Sequence, residues 1–245
     1  MTQSRTTTPC WLDPDATEIV FPDVELALQE PDGLLAVGGK LSTDSILQAY
    51  RRGIFPWYGQ GQPILWWAPD PRLVLFPGNL HVSRSLRKTI KKGVFTVTLD
   101  TAFEAVIDAC ARPRPQQSGT WITPEMRSAY VDLHHAGYAH SAEAWYDGML
   151  AGGLYGIAIG HIFFGESMFT EISGASKTAF VTLVRQLERW GFTLIDCQVY
   201  TQHLASLGAA TIPRREFTAI LDRECWPPGH KQPWTFEMAP ATICI

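Results

Sequence analysis

Cysteine is scarce and unpaired in this chain. Cys10, Cys110, Cys197, Cys225 and Cys244 are an odd five in 245 residues, with no C-x-x-C spacing. That argues against a disulfide framework and a zinc site, and fits a reducing compartment. Long apolar runs are missing too. No stretch reaches the ~18 residues of a membrane span, and the opening MTQSRTTTPC has no apolar core for a signal peptide. A cytoplasmic protein without a membrane partner is expected. Charge is sparse, with 18% charged residues and a net charge of −4, so there is no general attraction to nucleic acid and any basic cluster has to be local to matter. Internal repeats, low-complexity segments, H-E-x-x-H and G-x-S-x-G are all absent. Gly174-Ala175-Ser176-Lys177-Thr178 has the end of a phosphate loop but lacks its opening glycine, and the glycines of Gly152 to Gly156 fall inside a hairpin.

What is present is an ordinary globular composition, 46% hydrophobic, with nine tryptophans unevenly gathered. The length suits one large domain, or a small one attached to a medium one. Residues to about Val20 read as a polar tail, and Glu30-Pro31-Asp32-Gly33 marks a turn before a short apolar piece, Leu34 to Gly39. Ser42 or Thr43 caps a helix reaching Arg52. The segment IFPWYGQGQPILWWAPDP crowds Phe55, Trp57, Tyr58, Trp66 and Trp67 between prolines that forbid a long helix. Such a cluster either seals a seam between domains or forms a wall of an apolar pocket. A domain boundary is placed near Pro69 to Arg72, giving a unit over 1–70 and another over 71–245.

Beyond it, Arg72 to Phe76 reads as a strand and Ser83 caps the helix SRSLRKTIKKG. Arg84, Arg87, Lys88 and Lys91 share one face of that helix, while Leu86 and Ile90 face elsewhere. No acid occurs between Arg72 and Asp100. A stripe of one sign in an acidic protein points to a polyanion such as a phosphate backbone, against the alternative of a merely solvated face. Thr101 with Glu104 forms a capping-box pattern for a helix through Ala111, and Thr123-Pro124-Glu125 starts another. His134 and His135 are neighbours on it and read as surface or second-layer residues. From Ala139 the period becomes two: Ser141 to Tyr146, Met149 to Ala158 and His161 to Phe169 are expected as antiparallel strands. A helix follows from about Ala175 to Trp190, then a strand, a short helix to Leu207, and a last helix from Pro213.

The strand from Thr193 to Tyr200 carries two candidate site residues. Alternation places Leu194, Asp196, Gln198 and Tyr200 on one face. A buried acid and amide side by side are either a structural hydrogen-bond pair or part of a site. Glu166, sharing a face with Phe164 and Met168 in GESMF, poses the same problem, met by a structural arginine or by a cationic ligand. If the strand–helix–strand order brings Glu166 to Asp196 and Gln198, three polar groups converge in an apolar cleft.

FPW at Phe55 to Trp57, ILWWAPDPR at Ile64 to Arg72, SRS at Ser83 to Ser85, GTWIT at Gly119 to Thr123, GESMF at Gly165 to Phe169, ASKTA at Ala175 to Ala179, IDCQV at Ile195 to Val199, SLGA at Ser206 to Ala209 and IPR at Ile212 to Arg214 follow in order. From about Phe21 to Phe217 the chain resembles the leucyl/phenylalanyl-tRNA–protein transferases. The resemblance implies an α+β protein, with a small N-terminal α/β domain and a C-terminal acetyltransferase-type (GNAT-like) domain whose mixed, mainly antiparallel sheet is flanked by helices. It implies transfer of Leu or Phe (also Met) from aminoacyl-tRNA to the α-amino group of proteins with N-terminal Arg or Lys, marking them for degradation under the N-end rule. It implies Asp196 and Gln198 as the catalytic pair, Glu166 with Asp196 at the acceptor site, and Tyr50, Trp57, Trp121, Leu154, Met168, Leu183 and Ile195 around the aminoacyl group. Leu154 and Leu183 depart from the Met and Phe of some relatives, which reshapes that pocket.

The partners so implied are Leu-tRNA, Phe-tRNA and the acceptor proteins, with Arg84, Arg87, Lys88 and Lys91 holding tRNA phosphates. A monomer is expected. The aminoacyl ester is already activated, so no ATP, metal or organic cofactor is called for. Positioning and proton removal remain. A neutral amide hardly accepts a proton, so Gln198 is expected to orient the amine, Asp196 to hold or polarise Gln198, and a ribose hydroxyl to shuttle the proton. Two rivals are a CoA-dependent N-acetyltransferase, for which Ser173-Gly174-Ala175-Ser176 offers only one glycine, and a non-catalytic RNA-binding or N-terminus-recognition module, which has no use for Asp196 beside Gln198.

Overall fold

The computed structural model describes residues 8–113, 120–227, 229 and 234–236. Most of the QQSGT loop, Cys244 and most of the proline-rich tail lie outside these residues. Two sheets organise the rest. In the smaller, β1 (Cys10–Leu12), β2 (Leu34–Gly38), β3 (Phe55–Pro56) and β4 (Leu65–Trp67) stand in the order β1-β2-β4-β3. The expected polar tail is therefore corrected. Cys10 to Leu12 pairs parallel to β2, and Leu12, Ile19 and Phe21 are buried with Trp66 in this sheet's own core. Helix α1 (Thr43–Arg51) begins as expected, with Ser42 Oγ accepting the Ser45 N–H. The aromatic segment is not wholly irregular, since Phe55 and Trp67 pair across β3 and β4. Trp66 is buried away from the large sheet and donates its indole N–H to the Gly38 carbonyl at 2.9 Å.

The larger sheet holds β5 (Arg72–Leu75), β6 (Thr96–Leu99), β7 (Ala139–Tyr146), β8 (Met149–Ile159), β9 (Ile162–Thr170), β10 (Leu194–Gln198) and β11 (Ala210–Ile212). Their order is β11-β5-β10-β9-β8-β7-β6. Within this sheet, among the described residues, only β9 and β10 run parallel. Parallel neighbours need a crossover, and α5 (Ala175–Arg189) supplies it. The remaining helices are α2 (Arg84–Lys91), α3 (Phe103–Ala111), α4 (Pro124–His135), α6 (Gln202–Ala205) and α7 (Arg214–Glu224). The chain is thus α+β, with the mixed, mainly antiparallel sheet and flanking helices that were expected.

Alternation along the strands divides the core between the two faces of the sheet. On one, Val74, Tyr155, Ile157, Phe164 and Leu194 meet Tyr50 of α1, Val106 of α3, Tyr130 of α4 and Phe217 of α7. On the other, Leu73, Leu154, Phe163 and Ile195 meet Leu86 of α2 and Phe180, Leu183, Val184 and Leu187 of α5. Each such side chain contributes about 1.5–3 kcal/mol on full burial. Thr101 and Glu104 do not form the expected capping box. The helix opens at Ala102 without a side-chain cap, Thr101 donates to the Leu99 carbonyl, and Glu104 accepts from Arg127. His134 is half-buried and stacked on Phe103, while His135 is exposed. Among the described residues, no helix is long and apolar enough to cross a membrane.

Candidate active site

β9 and β10 pair from Leu194↔Ile162 to Asp196↔Phe164 and then part. Each strand breaks its register where they separate. In β9, Tyr155 pairs with Ser167 and Gly156 with Gly165, which leaves Glu166 as an extra residue. In β10, Asp196 pairs with Val74 and Gln198 with Leu73, which leaves Cys197 extra, and Gln198 adopts φ 62°. Bulges of this kind re-aim side chains. Here they turn Glu166 and Gln198 toward each other, and the Gln198 amide Nε2 donates to Glu166 Oε1 at 3.1 Å.

The bulge also corrects the expected face of Glu166. Phe164 belongs to the core with Tyr50, and Met168 to the opposite core with its partner Leu154. Glu166 follows Phe164. Among the described residues, no arginine pairs with it. Tyr50 Oη donates to Oε1 at 2.7 Å and Tyr130 Oη to Oε2 at 2.9 Å, with the two hydroxyls 2.6 Å apart. Burial raises the Glu166 carboxyl to about 7, against the pull of these two hydrogen bonds. Burial first, then the Glu166 charge, pushes the Tyr50, Tyr130 and Tyr155 hydroxyls well up, so all three stay protonated.

The arginine goes to Asp196 instead. Arg72 Nε and Nη2 donate to its two oxygens at 2.8 and 2.7 Å, and both side chains are buried. Arg72 Nη1 donates to the Gly53 carbonyl at 3.1 Å, and the guanidinium lies 4.7 Å from the ring centre of Phe55 and 4.7 Å from that of Phe217. Such a bidentate pair is geometrically specific and strong. Asp196 was expected to hold or polarise Gln198 and to partner Glu166 at the acceptor site, and its hold on Gln198 runs through the backbone. Its Oδ1 accepts the Gln198 backbone N–H at 2.9 Å, and its charge is occupied by Arg72. It therefore holds the left-handed turn that presents the Gln198 amide. Tyr200, expected on the same face, lies beyond the strand and is exposed.

These groups lie on a cleft of about 820 Å³ lined by Trp57, Trp121, Leu154, Met168, Ile195 and Phe180, among others. It opens where β9 and β10 part. Five of the seven expected aminoacyl-pocket residues border it. Tyr50 and Leu183 do not: Tyr50 lies beneath Glu166 and Leu183 is buried in the α5 core. Trp57 is anchored through its carbonyl, which accepts the Trp67 indole N–H at 2.7 Å. Cys197 packs toward the α5 core, and burial pushes its thiol far up, which leaves it unreactive. Arg84, Arg87, Lys88 and Lys91 are exposed along α2, and Leu86 and Ile90 anchor it.

Arg72, Tyr130, Tyr155 and Phe180 escaped the sequence reading of the site. An arginine opening an apolar strand was the one available signal for Arg72, and the other three sit at ordinary core spacings.

Two family models match the chain. The leucyl/phenylalanyl-tRNA protein transferase model covers residues 74–222, and the model of that family's N-terminal domain covers residues 39–70. A leucyl/phenylalanyl-tRNA–protein transferase of Azotobacter vinelandii is 64% identical over 201 residues, 82% of this chain and 89% of its own length. The chain belongs to the leucyl/phenylalanyl-tRNA–protein transferase family. A transferase of the same name from Methylococcus capsulatus is 57% identical over 223 residues, 88% of this chain and 95% of its own. Among solved structures, a GCN5-related N-acetyltransferase from Kribbella flavida overlays 66% of this chain and 57% of its own, with a TM-score of 0.30 and 16% identity. Membership in the transferase family makes the chain an aminoacyltransferase.

Proposed function

We propose that this chain transfers leucine or phenylalanine from aminoacyl-tRNA to the α-amino group of proteins beginning with Arg or Lys. The contact between Gln198 and Glu166 carries the reading, because it sets an orienting amide beside an acid in a cleft whose other wall is apolar. The apolar wall of Leu154, Met168, Phe180 and Ile195 takes the aminoacyl side chain, and Trp57 and Trp121 flank it. Glu166 takes the cationic side chain of the acceptor. Gln198 orients the α-amine. Asp196, neutralised by Arg72, orients Gln198 and takes no proton. A tRNA ribose hydroxyl is left as the proton shuttle.

The α2 stripe holds tRNA phosphates, which fix position and read no sequence. A small unit ending near residue 70 supplies Trp57, and the protein acts as a cytoplasmic monomer. Incubation with labelled Leu-tRNA or Phe-tRNA and an Arg-started polypeptide tests the reading. Hot-acid-stable label in the polypeptide is the expected result. Label that stays on tRNA, or that requires CoA, overturns it.

A further inference from the structure

The oxygens around Glu166 do not balance with an ionised carboxylate. Tyr50 Oη to Oε1, Tyr130 Oη to Oε2 and Tyr50 Oη to Tyr130 Oη are all within hydrogen-bond distance, at 2.7, 2.9 and 2.6 Å. Each such contact needs a hydrogen. Each phenol brings one, and their raised titration keeps them there. One contact is then left without a hydrogen. A proton on Glu166 Oε2 closes the set: the carboxyl donates to Tyr130, Tyr130 donates to Tyr50, and Tyr50 donates to Oε1. The Gln198 amide donates to Oε1 from outside this ring.

We propose that Tyr50 and Tyr130 are positioning residues of the acceptor site, which hold Glu166 as the neutral acid in the empty protein, and that a cationic N-terminal side chain binds by expelling this proton to solvent. The inference rests on the reading of Glu166 as the acceptor carboxylate. No bond other than O–H changes: the proton leaves Oε2 for water, Tyr130 swings its hydrogen from Tyr50 onto the resulting carboxylate, and Tyr50 keeps donating to Oε1. The titration of Glu166, raised by burial to about 7, agrees with the hydrogen count.

The other groups around Glu166 do not take this role. Tyr155 of β8 is buried with no hydrogen-bond partner. Asp196 of β10 and Arg72 of β5 neutralise each other. Farther along the cleft, Arg112 and Glu171 pair at 2.9 Å, and His203 is held below its usual range by burial and then by Lys177. A cation is therefore rewarded at Glu166 only to the extent that solvent accepts the proton. Acceptors with cationic first residues should weaken in acid, beyond the loss that any α-amine suffers.

The test is kcat/KM for an Arg-started peptide at saturating Leu-tRNA, from about pH 5.5 to 8.5. Below about pH 7 the logarithm should rise with a slope near two, one proton from the α-amine and one from Glu166, and the second proton should appear in the peptide KM. Glu166→Gln should show a slope near one below about pH 7, from the α-amine alone. In Tyr130→Phe, loss of a charge-assisted hydrogen bond to the carboxylate should move the second limb up by about one pH unit. KM for Leu-tRNA should not move in either variant.

Calorimetry on the unmutated protein at about pH 6 gives an independent reading. An Arg-started peptide should release close to one proton more than its citrulline-started counterpart, which carries the same α-amine without the cation. Equal proton release, or a single-proton kinetic profile with transfer intact, overturns the inference alone. An absence of transfer at every pH overturns the reading beneath it.

Discussion

Gln198 donates to Glu166 across a gap between two strands that have just stopped pairing, at 3.1 Å. Neither side chain would point there in regular strands. The bulge at Glu166 and the left-handed turn at Gln198 are both needed, and each depends on neighbours that a substitution can remove.

Gly156 faces the first bulge. A Cβ there would lie 2.2 Å from the Phe164 carbonyl oxygen and 2.6 Å from the Phe163 ring. Gly156→Ala should force β9 away from β8, cost on the order of 2–3 kcal/mol in denaturant unfolding, and lower transfer by displacing Glu166. Gly78→Ala, where an added Cβ meets nothing within 4 Å, should change neither measurement.

Arg72→Ala leaves the buried Asp196 carboxylate unpaired. Destabilisation of about 3–5 kcal/mol is expected, together with loss of kcat as the turn at Gln198 loosens. Arg72→Lys keeps the charge but not the fork, so it should recover part of the stability and less of the activity. Urea melts and single-turnover transfer measure the two effects separately. Equal activity in Arg72→Ala and the parent would show that the turn does not depend on the ion pair.

The pH dependence of stability has a definite sign. Glu166 titrates near 7 in the folded protein, above the usual carboxylate range. Between about pH 4.5 and 7 the folded state therefore binds more protons than the unfolded chain, and the Glu166 contribution falls as pH rises. Glu166→Gln should remove this slope and be stabilising relative to the parent above pH 7, by at most about 3 kcal/mol. Thermal melts of the two proteins across that range would expose an opposite trend.

Replacing Arg84, Arg87, Lys88 and Lys91 together by Ala should weaken tRNA binding and flatten its salt dependence. A drop in slope of up to about 0.7–0.9 is expected for each phosphate contact removed. Since all four side chains point to solvent, folding should be unaffected. An unchanged slope in filter-binding titrations refutes the assignment of this stripe.

Leu154 and Met168 face each other across β8 and β9 on the apolar side of the cleft. Leu154→Ala should enlarge the slot and shift preference toward phenylalanine. The shift should be modest, since a methylene in such a pocket is worth about 1–3 kcal/mol. Competition between Leu-tRNA and Phe-tRNA measures it. A preference that stays unchanged places the aminoacyl side chain elsewhere.

Much of the scaffold was legible because its signals are local. Ser42 and Ser83 cap α1 and α2, Asp147-Gly148 turns β7 into β8, and the core spacing of Phe180, Leu183, Val184 and Leu187 marks α5. The irregularities at the site were not. Alternation assumes an unbroken strand, so one extra residue at position 166 reverses the side of Met168, and nothing in GESMF announces it. Asp196 and Gln198 were conspicuous as polar residues in an apolar strand. Their orientation was hidden, because it depends on Arg72, 124 residues earlier in the chain. Short pairings such as β1 with β2 and β11 with β5 have too few residues for any period to show. Thr101 illustrates the reverse error, since its capping pattern lost to the direction the chain takes after β6.

The guanidinium of Arg72 lies over the rings of Phe55 and Phe217 and donates to Gly53 and Asp196. Those partners come from separate stretches of sequence, at residues 53–55, at 196 and at 217. During synthesis, the ring of Phe217 emerges last. Until α7 folds over it, the ion pair has an open side and meets water, and the turn at Gln198 has a softer support. The support beneath Gln198 is thereby completed only once α7 has been made, so a polypeptide that stops short of Phe217 can carry β10 with its turn poorly held.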